Sequence, residues 1–134
     1  MNGKTFLDTN ILVYAYSSGD PREQRAEELV LAGGTISVQV LTEFVNVSTR
    51  KQGRSWPEIQ RVLLTVRALL DPPVPLTATT HEYAVSAARR FNLHIYDAMI
   101  VAAAVDAGCT TLYTEDMQHG QVIDGLTIRN PFRT

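Results

Sequence analysis

Four acidic residues in the sequence have no evident structural role. The chain carries 14 Asp and Glu residues, and most of them belong to helix starts, polar helix faces or turns; Glu115, in a predicted loop, stays undecided. Because the carboxyl ends of parallel strands meet at one edge of an α/β sheet, side chains that follow strands are expected to converge there. Carboxylates crowded at such an edge repel each other, so the cluster requires a cation. The four residues are Asp8, Glu43, Asp97 and Asp116.

The chemistry of these oxygen ligands favours Mg²⁺ or Mn²⁺ over zinc. The single Cys109 and the scattered His81, His94 and His119 lack the spacing of a zinc site. Divalent ions held by carboxylates act on phosphates, because they supply hydroxide and neutralise the charge on the attacked oxygens. The chain contains no Gly-rich loop ending in Gly-Lys-Ser or Gly-Lys-Thr, which disfavours a P-loop enzyme. The residues therefore indicate metal-dependent hydrolysis of a phosphodiester or phosphomonoester.

Each acid also has a simpler interpretation. Asp8 and Asp97 are both acceptable helix N-caps. Glu43, in the first turns of a predicted helix, is compatible with a solvated surface residue, and Asp116 with an ordinary loop residue. Only their expected convergence at one edge of one sheet favours a shared role.

The elements that must position these acids follow from the hydrophobic pattern. Short apolar segments alternate with helices, which predicts an α/β fold with a short, mostly parallel central sheet flanked by helices on both faces. We expect one domain over residues 1–134. Helix starts are predicted from capping boxes at Asp20/Glu23, Ser55/Glu58 and Thr79/Glu82. Predicted strands cover residues 5–7, 35–37, 110–114 and 126–129; predicted helices cover residues 11–16, 20–32, 38–50, 55–70, 79–91 and 97–107.

Composition and charge set limits on location and partners. With 45% hydrophobic and 19% charged residues, the chain has an ordinary globular composition. Its formal net charge of −2 means that nucleic-acid binding would need a local basic patch. The lone cysteine fits a reducing compartment, and no apolar run approaches the length of a membrane span. We therefore expect a cytoplasmic protein.

Four short motifs carry a resemblance to a known family. Residues 6–12 (FLDTNIL), 41–44 (LTEF), 96–100 (YDAMI) and 112–117 (LYTEDM) resemble, in order and spacing, the four acidic motifs of PIN-domain nucleases. The compact size and residues 114–121 (TEDMQHGQ) are similar in particular to the VapC ribonuclease toxins of bacterial toxin–antitoxin pairs. The motifs extend over nearly the whole chain.

The resemblance implies an Mg²⁺- or Mn²⁺-dependent endoribonuclease that acts on structured RNA such as tRNA or ribosomal RNA. It also implies a homodimer that is inhibited by a small cognate antitoxin protein. A metal-activated water would attack the phosphate in line and leave 5′-phosphate and 3′-hydroxyl ends. The implied catalytic residues and metal ligands are Asp8, Glu43, Asp97 and Asp116, and the implied supporting polar residues, which orient carboxylates and water, are Thr9, Asn10 and Thr114.

Two surfaces are candidates for partner binding. Arg50, Lys51 and Arg54 are the best candidates for RNA phosphate contacts, because Arg50 lies about 10 Å along the helix from Glu43. The alternative is that these cations complement a helix C-terminus that stops at Gly53. Apolar residues within 11–16 and 56–70 exceed what one small core needs, which predicts a surface covered by a partner. Tyr14, Tyr16 and Trp56 fit base stacking or antitoxin contact, and equally well a packing role.

Rival functions have weaker support. A receiver-like module needs paired acids after the first strand and a Lys after the last, but Asp8 stands alone and the lysines are Lys4 and Lys51. A phosphatase with an Asp nucleophile usually has a second acid two residues later, where this chain has Asn10. The main alternative is a non-catalytic PIN-like module that binds RNA or protein.

Overall fold

Among the residues that the structure describes, the sheet has four strands: β1 (Lys4–Leu7), β2 (Cys109–Tyr113), β3 (Val122–Ile123) and β4 (Leu126–Arg129). Their order in the sheet is β1-β2-β4-β3. A computed structural model describes residues 3–133. β1 pairs with β2, and β2 with β4, in parallel, whereas β3 runs antiparallel to β4. The predicted α/β class with a mostly parallel sheet is confirmed, and the short antiparallel strand makes the sheet mixed.

In the part of the chain that the structure describes, six helices surround the sheet, and each of them corresponds to a predicted helix. Within residues 3–133, no helix is both long and apolar enough to span a membrane. The helices are α1 (Thr9–Ala15), α2 (Glu23–Leu31), α3 (Val38–Arg50), α4 (Trp56–Leu69), α5 (Ala78–Phe91) and α6 (Ile95–Asp106).

Both faces of the sheet are covered, as predicted. Phe6 and Leu7 are consecutive in β1 and therefore point to opposite faces, yet both are fully buried. On one face lies α6, whose Ile100 and Val101 join the main hydrophobic cluster. Its nearly continuous apolar surface explains why half of its residues are buried. A left-handed Gly108, with φ of 76°, ends this helix and turns the chain into β2.

Two of the three predicted capping boxes differ from the structure. Only the capping box of Ser55 and Glu58 forms as predicted. The Asp20 carboxylate accepts from the Arg22 backbone and guanidinium instead of capping α2, which begins at Glu23 without a side-chain cap. Thr77, not Thr79, caps α5, since its hydroxyl accepts the Thr80 N–H at 3.1 Å.

The predicted strand at residues 35–37 is wrong as a continuous strand. Thr35 bridges to Phe6 and Ser37 to Val74, each as an isolated parallel pair. Only one residue of this segment pairs with each of its two neighbouring segments, and Ser37 is already the N-cap of α3. A continuous ladder of strand hydrogen bonds therefore does not develop. β3 was not predicted; it pairs with β4 through a tight turn in which Asp124 and Gly125 both have positive φ.

The parallel pairing fixes the position of the site. In the register of β1 and β2, Leu7 lies opposite Tyr113. Both strands end there, so the next residues, Asp8 and Thr114, lie side by side at the carboxyl edge of the sheet. The backbone N–H of Asp8 still donates to the Tyr113 carbonyl at 3.0 Å.

Candidate active site

Asp8 is the most deeply buried of the four acids, with 4% of its surface exposed. Its carboxylate accepts the Thr9 N–H at 2.6 Å and the Thr114 hydroxyl at 2.7 Å. Asp8 thus caps α1 and also faces the site, so the two interpretations of this residue coexist. Burial is the main cause that raises the pKa of Asp8, to about 6 in total; the Thr114 and Thr9 hydrogen bonds oppose the shift, and the Asp116 and Glu43 carboxylates add to it.

Asp116 lies in the segment that follows β2 and is held from two sides. Asn10, in the first turn of α1, donates its side-chain N–H to the Asp116 carboxylate at 3.0 Å. The backbone N–H of Asp116 donates to the Thr114 hydroxyl at 3.1 Å. Thr114 is fully buried and also donates to Asp8. This one hydroxyl therefore links the two acids that flank the ends of β1 and β2.

Glu43 approaches from α3 and is half-buried. Gln39, one turn earlier on the same helix, donates to the Glu43 carboxylate at 2.8 Å and to the Tyr96 carbonyl at 3.1 Å. Gln39 therefore ties α3 to the start of α6. Burial raises the pKa of Glu43; the Gln39 hydrogen bond opposes this, while the Asp97 and Asp116 carboxylates add to it.

Asp97 lies in the first turn of α6 rather than at its start. The N-cap is His94, whose ring nitrogen accepts the Tyr96 N–H. Asp97 is thus free of the capping role that was its simpler interpretation. Desolvation raises the pKa of Asp97, Asp116 raises it further, and His94 opposes the shift.

The structure brings all four predicted acids into one electrostatic cluster. Asp8 interacts with Asp116 and Glu43, and Asp97 interacts with both Glu43 and Asp116. Partial desolvation, with neighbouring Glu115, also raises the pKa of Asp116. Beside the cluster is an open cavity of about 400 Å³, whose wall includes Glu43 and Asp116. Glu43 and Asp116 therefore border a space that a phosphate group can enter.

The oxygen atoms of these side chains are the ligand type that a hard divalent cation prefers, although the side chains do not have the spacing of a metal site. Within residues 3–133, no group of three or more His, Cys, Asp and Glu side chains has the spacing of a metal site. Three buried oxygens next to the acids, Thr9 Oγ1, Asn10 Oδ1 and Gln39 Oε1, have no hydrogen-bond partner in the described chain. The Thr9 hydroxyl approaches Glu43 and lowers its pKa without a hydrogen bond of regular geometry. Four repelling carboxylates and three unpaired oxygens are what a bound cation and its waters would satisfy.

Of the three predicted basic residues, only Lys51 borders the cavity. Arg50 is exposed and donates to Asn46 at 3.0 Å. Arg54 donates to the Tyr16 carbonyl and to Gln52, so its guanidinium is held by the protein itself. Lys51 is also the C-cap of α3, and its position fits both a phosphate contact and the helix-terminus alternative.

A second polar network beside the site was not predicted. The Tyr14 hydroxyl donates to Glu115, and the Arg22 guanidinium donates to the Tyr14 oxygen at 2.7 Å and lies 3.4 Å from Glu115. Burial and Glu115 together raise the pKa of Tyr14 to about 12, so its hydroxyl stays a donor at neutral pH. The sequence does contain a signal for such a neighbour of the site. Tyr14 follows Asn10 by four residues, as Glu43 follows Gln39, and residues four apart lie on the same face of a helix.

The raised pKa values predict how stability depends on pH in the metal-free protein. Because Asp8 binds its proton more tightly when folded, its contribution is present at low pH and is lost as the pH rises through about 6. From about pH 4.5 to 7.5 we expect the free energy of unfolding to fall by about 2 kcal/mol from Asp8 alone. Thermal melts in EDTA measure this; a wild-type slope equal to that of Asp8→Asn would contradict it.

The chain belongs to the PIN domain family, whose family model matches residues 5–123. It resembles the VapC members of that family in particular. Ribonuclease VapC7 of Mycobacterium tuberculosis is 26% identical over 133 residues, covering 88% of this chain and 86% of the relative.

Solved structures share the fold at lower identity. VapC20 of M. tuberculosis, described as a toxin that cleaves the sarcin-ricin loop, matches 84% of this chain and 90% of its own, with TM-score 0.69 and 21% identity. A toxin–antitoxin complex from Klebsiella pneumoniae matches 98% of this chain and 100% of its own chain, with TM-score 0.74 and 20% identity. VapBC2 from Rickettsia felis, bound to a promoter DNA fragment, matches 94% of this chain and 97% of its own chain, with TM-score 0.62 and 24% identity.

Proposed function

We propose that this protein is an Mg²⁺- or Mn²⁺-dependent endoribonuclease, the toxin of a type II toxin–antitoxin pair, which cleaves structured RNA such as tRNA or rRNA. The observation that carries the proposal is the cluster of Asp8, Glu43, Asp97 and Asp116 at the carboxyl edge of the sheet. Membership of the PIN family and similarity to a ribonuclease VapC support it.

The four carboxylates would hold the cation, with Thr9 and Asn10 supplying nearby neutral oxygens. When bound, Mg²⁺ or Mn²⁺ neutralises phosphate charge and lowers the pKa of a water to supply hydroxide. Thr114 fixes the orientation of Asp8 and the backbone at Asp116, and Gln39 fixes Glu43. Lys51, on the cavity wall, would attract an RNA phosphate. The chain's own residues thus orient the ligands and the substrate.

The target is identified by sequencing RNA ends in cells that express the wild type or Asp8→Asn. We expect new 5′-phosphate ends at a small number of positions in structured RNA, present only with the wild type. Identical end profiles in the two strains would favour a non-catalytic PIN module that binds RNA or protein.

Exposed apolar side chains are consistent with the binding of protein partners. The prediction of excess apolar surface is wrong for the first half of α1, because Ile11 and Leu12 are fully buried. It is supported on α4, where Trp56 and Leu64 are 62% and 71% exposed. We propose that a small antitoxin and a second copy of this chain cover such surfaces. A groove of about 390 Å³ between α1, α2 and α4 and one of about 240 Å³ beside Glu43 are the two candidates.

Self-association gives a direct test of the dimer. At micromolar concentration we expect light scattering to give twice the mass of one chain, because exposed leucines on α2 and α4 lose water contact on pairing. The measurement is repeated over a dilution series without antitoxin. A monodisperse monomer at every concentration would refute the homodimer.

A further inference from the structure

Two side chains on one face of α1 hold two consecutive acids after β2. Asn10 donates to Asp116, and Tyr14, one turn later, donates to Glu115. Residues four apart on a helix point the same way, so α1 contacts the Glu115–Asp116 segment at two adjacent points. Only the first of these contacts touches an acid of the cluster directly.

Tyr14 is itself fixed from both sides. The guanidinium of Arg22 lies 3.7 Å from the centre of its ring, and Phe132 packs edge-on at 5.4 Å. Arg22 is in turn anchored by two contacts of 3.0 Å to Asp20. This explains why Asp20 does not cap α2: its carboxylate orients the arginine that reaches Tyr14 and Glu115.

We propose that Tyr14 and Arg22 are positioning residues that act through Glu115 to hold Asp116 in its metal-binding orientation. The proposal rests on the function proposed above, because it assigns a role to these residues only if Asp116 binds a cation. Without Tyr14 and Arg22, the described hydrogen bonds of Asp116 would still be those from Asn10 and from its own N–H to Thr114. Groups that orient metal ligands typically change metal affinity tenfold or more when removed.

Tyr14→Phe tests the hydrogen bond with little change in packing. It deletes the hydroxyl but keeps the ring between Arg22 and Phe132. We expect the Mn²⁺ dissociation constant of the RNA-free protein, measured by calorimetry, to rise roughly tenfold. The Mn²⁺ concentration for half-maximal RNA cleavage should rise equally, while the rate at saturating Mn²⁺ recovers most of the wild-type value.

Arg22→Met separates positioning from simple electrostatics. Removing a positive charge beside an acidic cluster should by itself tighten cation binding. Loss of positioning predicts the opposite, a weaker site, because Tyr14 and Glu115 lose their anchor. If both residues act through Glu115, the double variant should bind Mn²⁺ about as weakly as the weaker single variant.

Tyr83→Phe is the matched control. Tyr83 donates to Asp124, which also pairs with Arg90 at 3.0 Å, so a tyrosine, an acid and an arginine meet there too. Asp124 precedes β4, at the amino edge of the parallel strands and opposite the site. Tyr83→Phe should leave Mn²⁺ affinity unchanged.

Each outcome has a distinct meaning. Unchanged Mn²⁺ affinity in Tyr14→Phe and Arg22→Met, or tighter binding in Arg22→Met, would overturn the positioning role alone. The same applies if the variants lose only thermal stability in EDTA. A wild-type protein that binds no Mn²⁺ would overturn the proposed function and this inference together.

Discussion

Asp8→Asn is expected to lower RNA cleavage by orders of magnitude while the metal-free protein stays as stable as the wild type or gains about 1 kcal/mol. Asparagine keeps the volume of Asp8 but replaces a charged oxygen by an N–H donor, so a hard ligand is lost. Its raised pKa shows that the site disfavours the charged carboxylate when no cation is present. A neutral side chain removes that penalty. Cleavage of a structured RNA and melting in EDTA measure the two effects.

The local hydrogen bonds explain why this variant should fold. The side-chain oxygen of the introduced asparagine can accept the Thr9 N–H, as asparagine does at other N-caps. Thr114 donates to Asp8 in the wild type, but its hydroxyl has a second lone pair for an asparagine N–H, besides the one facing Asp116. The loss of a charge-assisted bond limits the gain in stability.

Asp124→Asn is the matched control for this substitution. Asp124 has a φ of 49°, a left-handed conformation that asparagine adopts readily, and it lies at the opposite edge of the sheet. The variant should cleave RNA like the wild type. An Asp8→Asn protein that cleaves at the wild-type rate would refute the catalytic assignment and leave Asp8 as a helix cap.

The position of Asp8 near Asp116 was predictable from the sequence, because parallel strands bring their carboxyl ends to one edge. Asp8 and Asp116 follow β1 and β2, whose register is fixed by buried residues such as Phe6 and Leu112. That part depends on hydrophobic periodicity and topology, which are legible in one sequence. Glu43 required a weaker argument, from its place at the edge of an apolar helix stripe.

The polar contacts around the acids were not predictable in the same way. Asp20, followed by a proline and a glutamate, has the pattern of a helix start. Its carboxylate instead pairs with Arg22, whose guanidinium also donates to Tyr14 on α1. Such a choice depends on the distance between two helices, which no local pattern contains. Gln39 is similar, since its second contact is to the Tyr96 carbonyl, 57 residues away.

Chelation is expected to abolish RNA cleavage, and added Mg²⁺ or Mn²⁺ to restore it. Asp8, Glu43, Asp97 and Asp116 all have raised pKa values, and desolvation is the largest cause in each. Those shifts mean that the protein's own groups do not offset the cost of keeping these carboxylates charged in the folded site. A divalent ion would compensate them and supply hydroxide at neutral pH. Cleavage in EDTA should fall to the level of buffer without protein, and metal in excess of the chelator should recover it.

The same ion should also stabilise the fold, because only the folded chain brings the four acids together. At a metal concentration about a hundred times the dissociation constant, the expected stabilisation is about 2.7 kcal/mol, read as a rise in melting temperature. That rise should shrink in Asp8→Asn. It should persist in Asp124→Asn, because the Asp124 carboxylate is already paired with Arg90 in the wild type. Nonspecific binding of metal to surface acids predicts equal rises in both variants. Cleavage that continues unchanged in EDTA would rule out the metal mechanism even if the melting temperature responds.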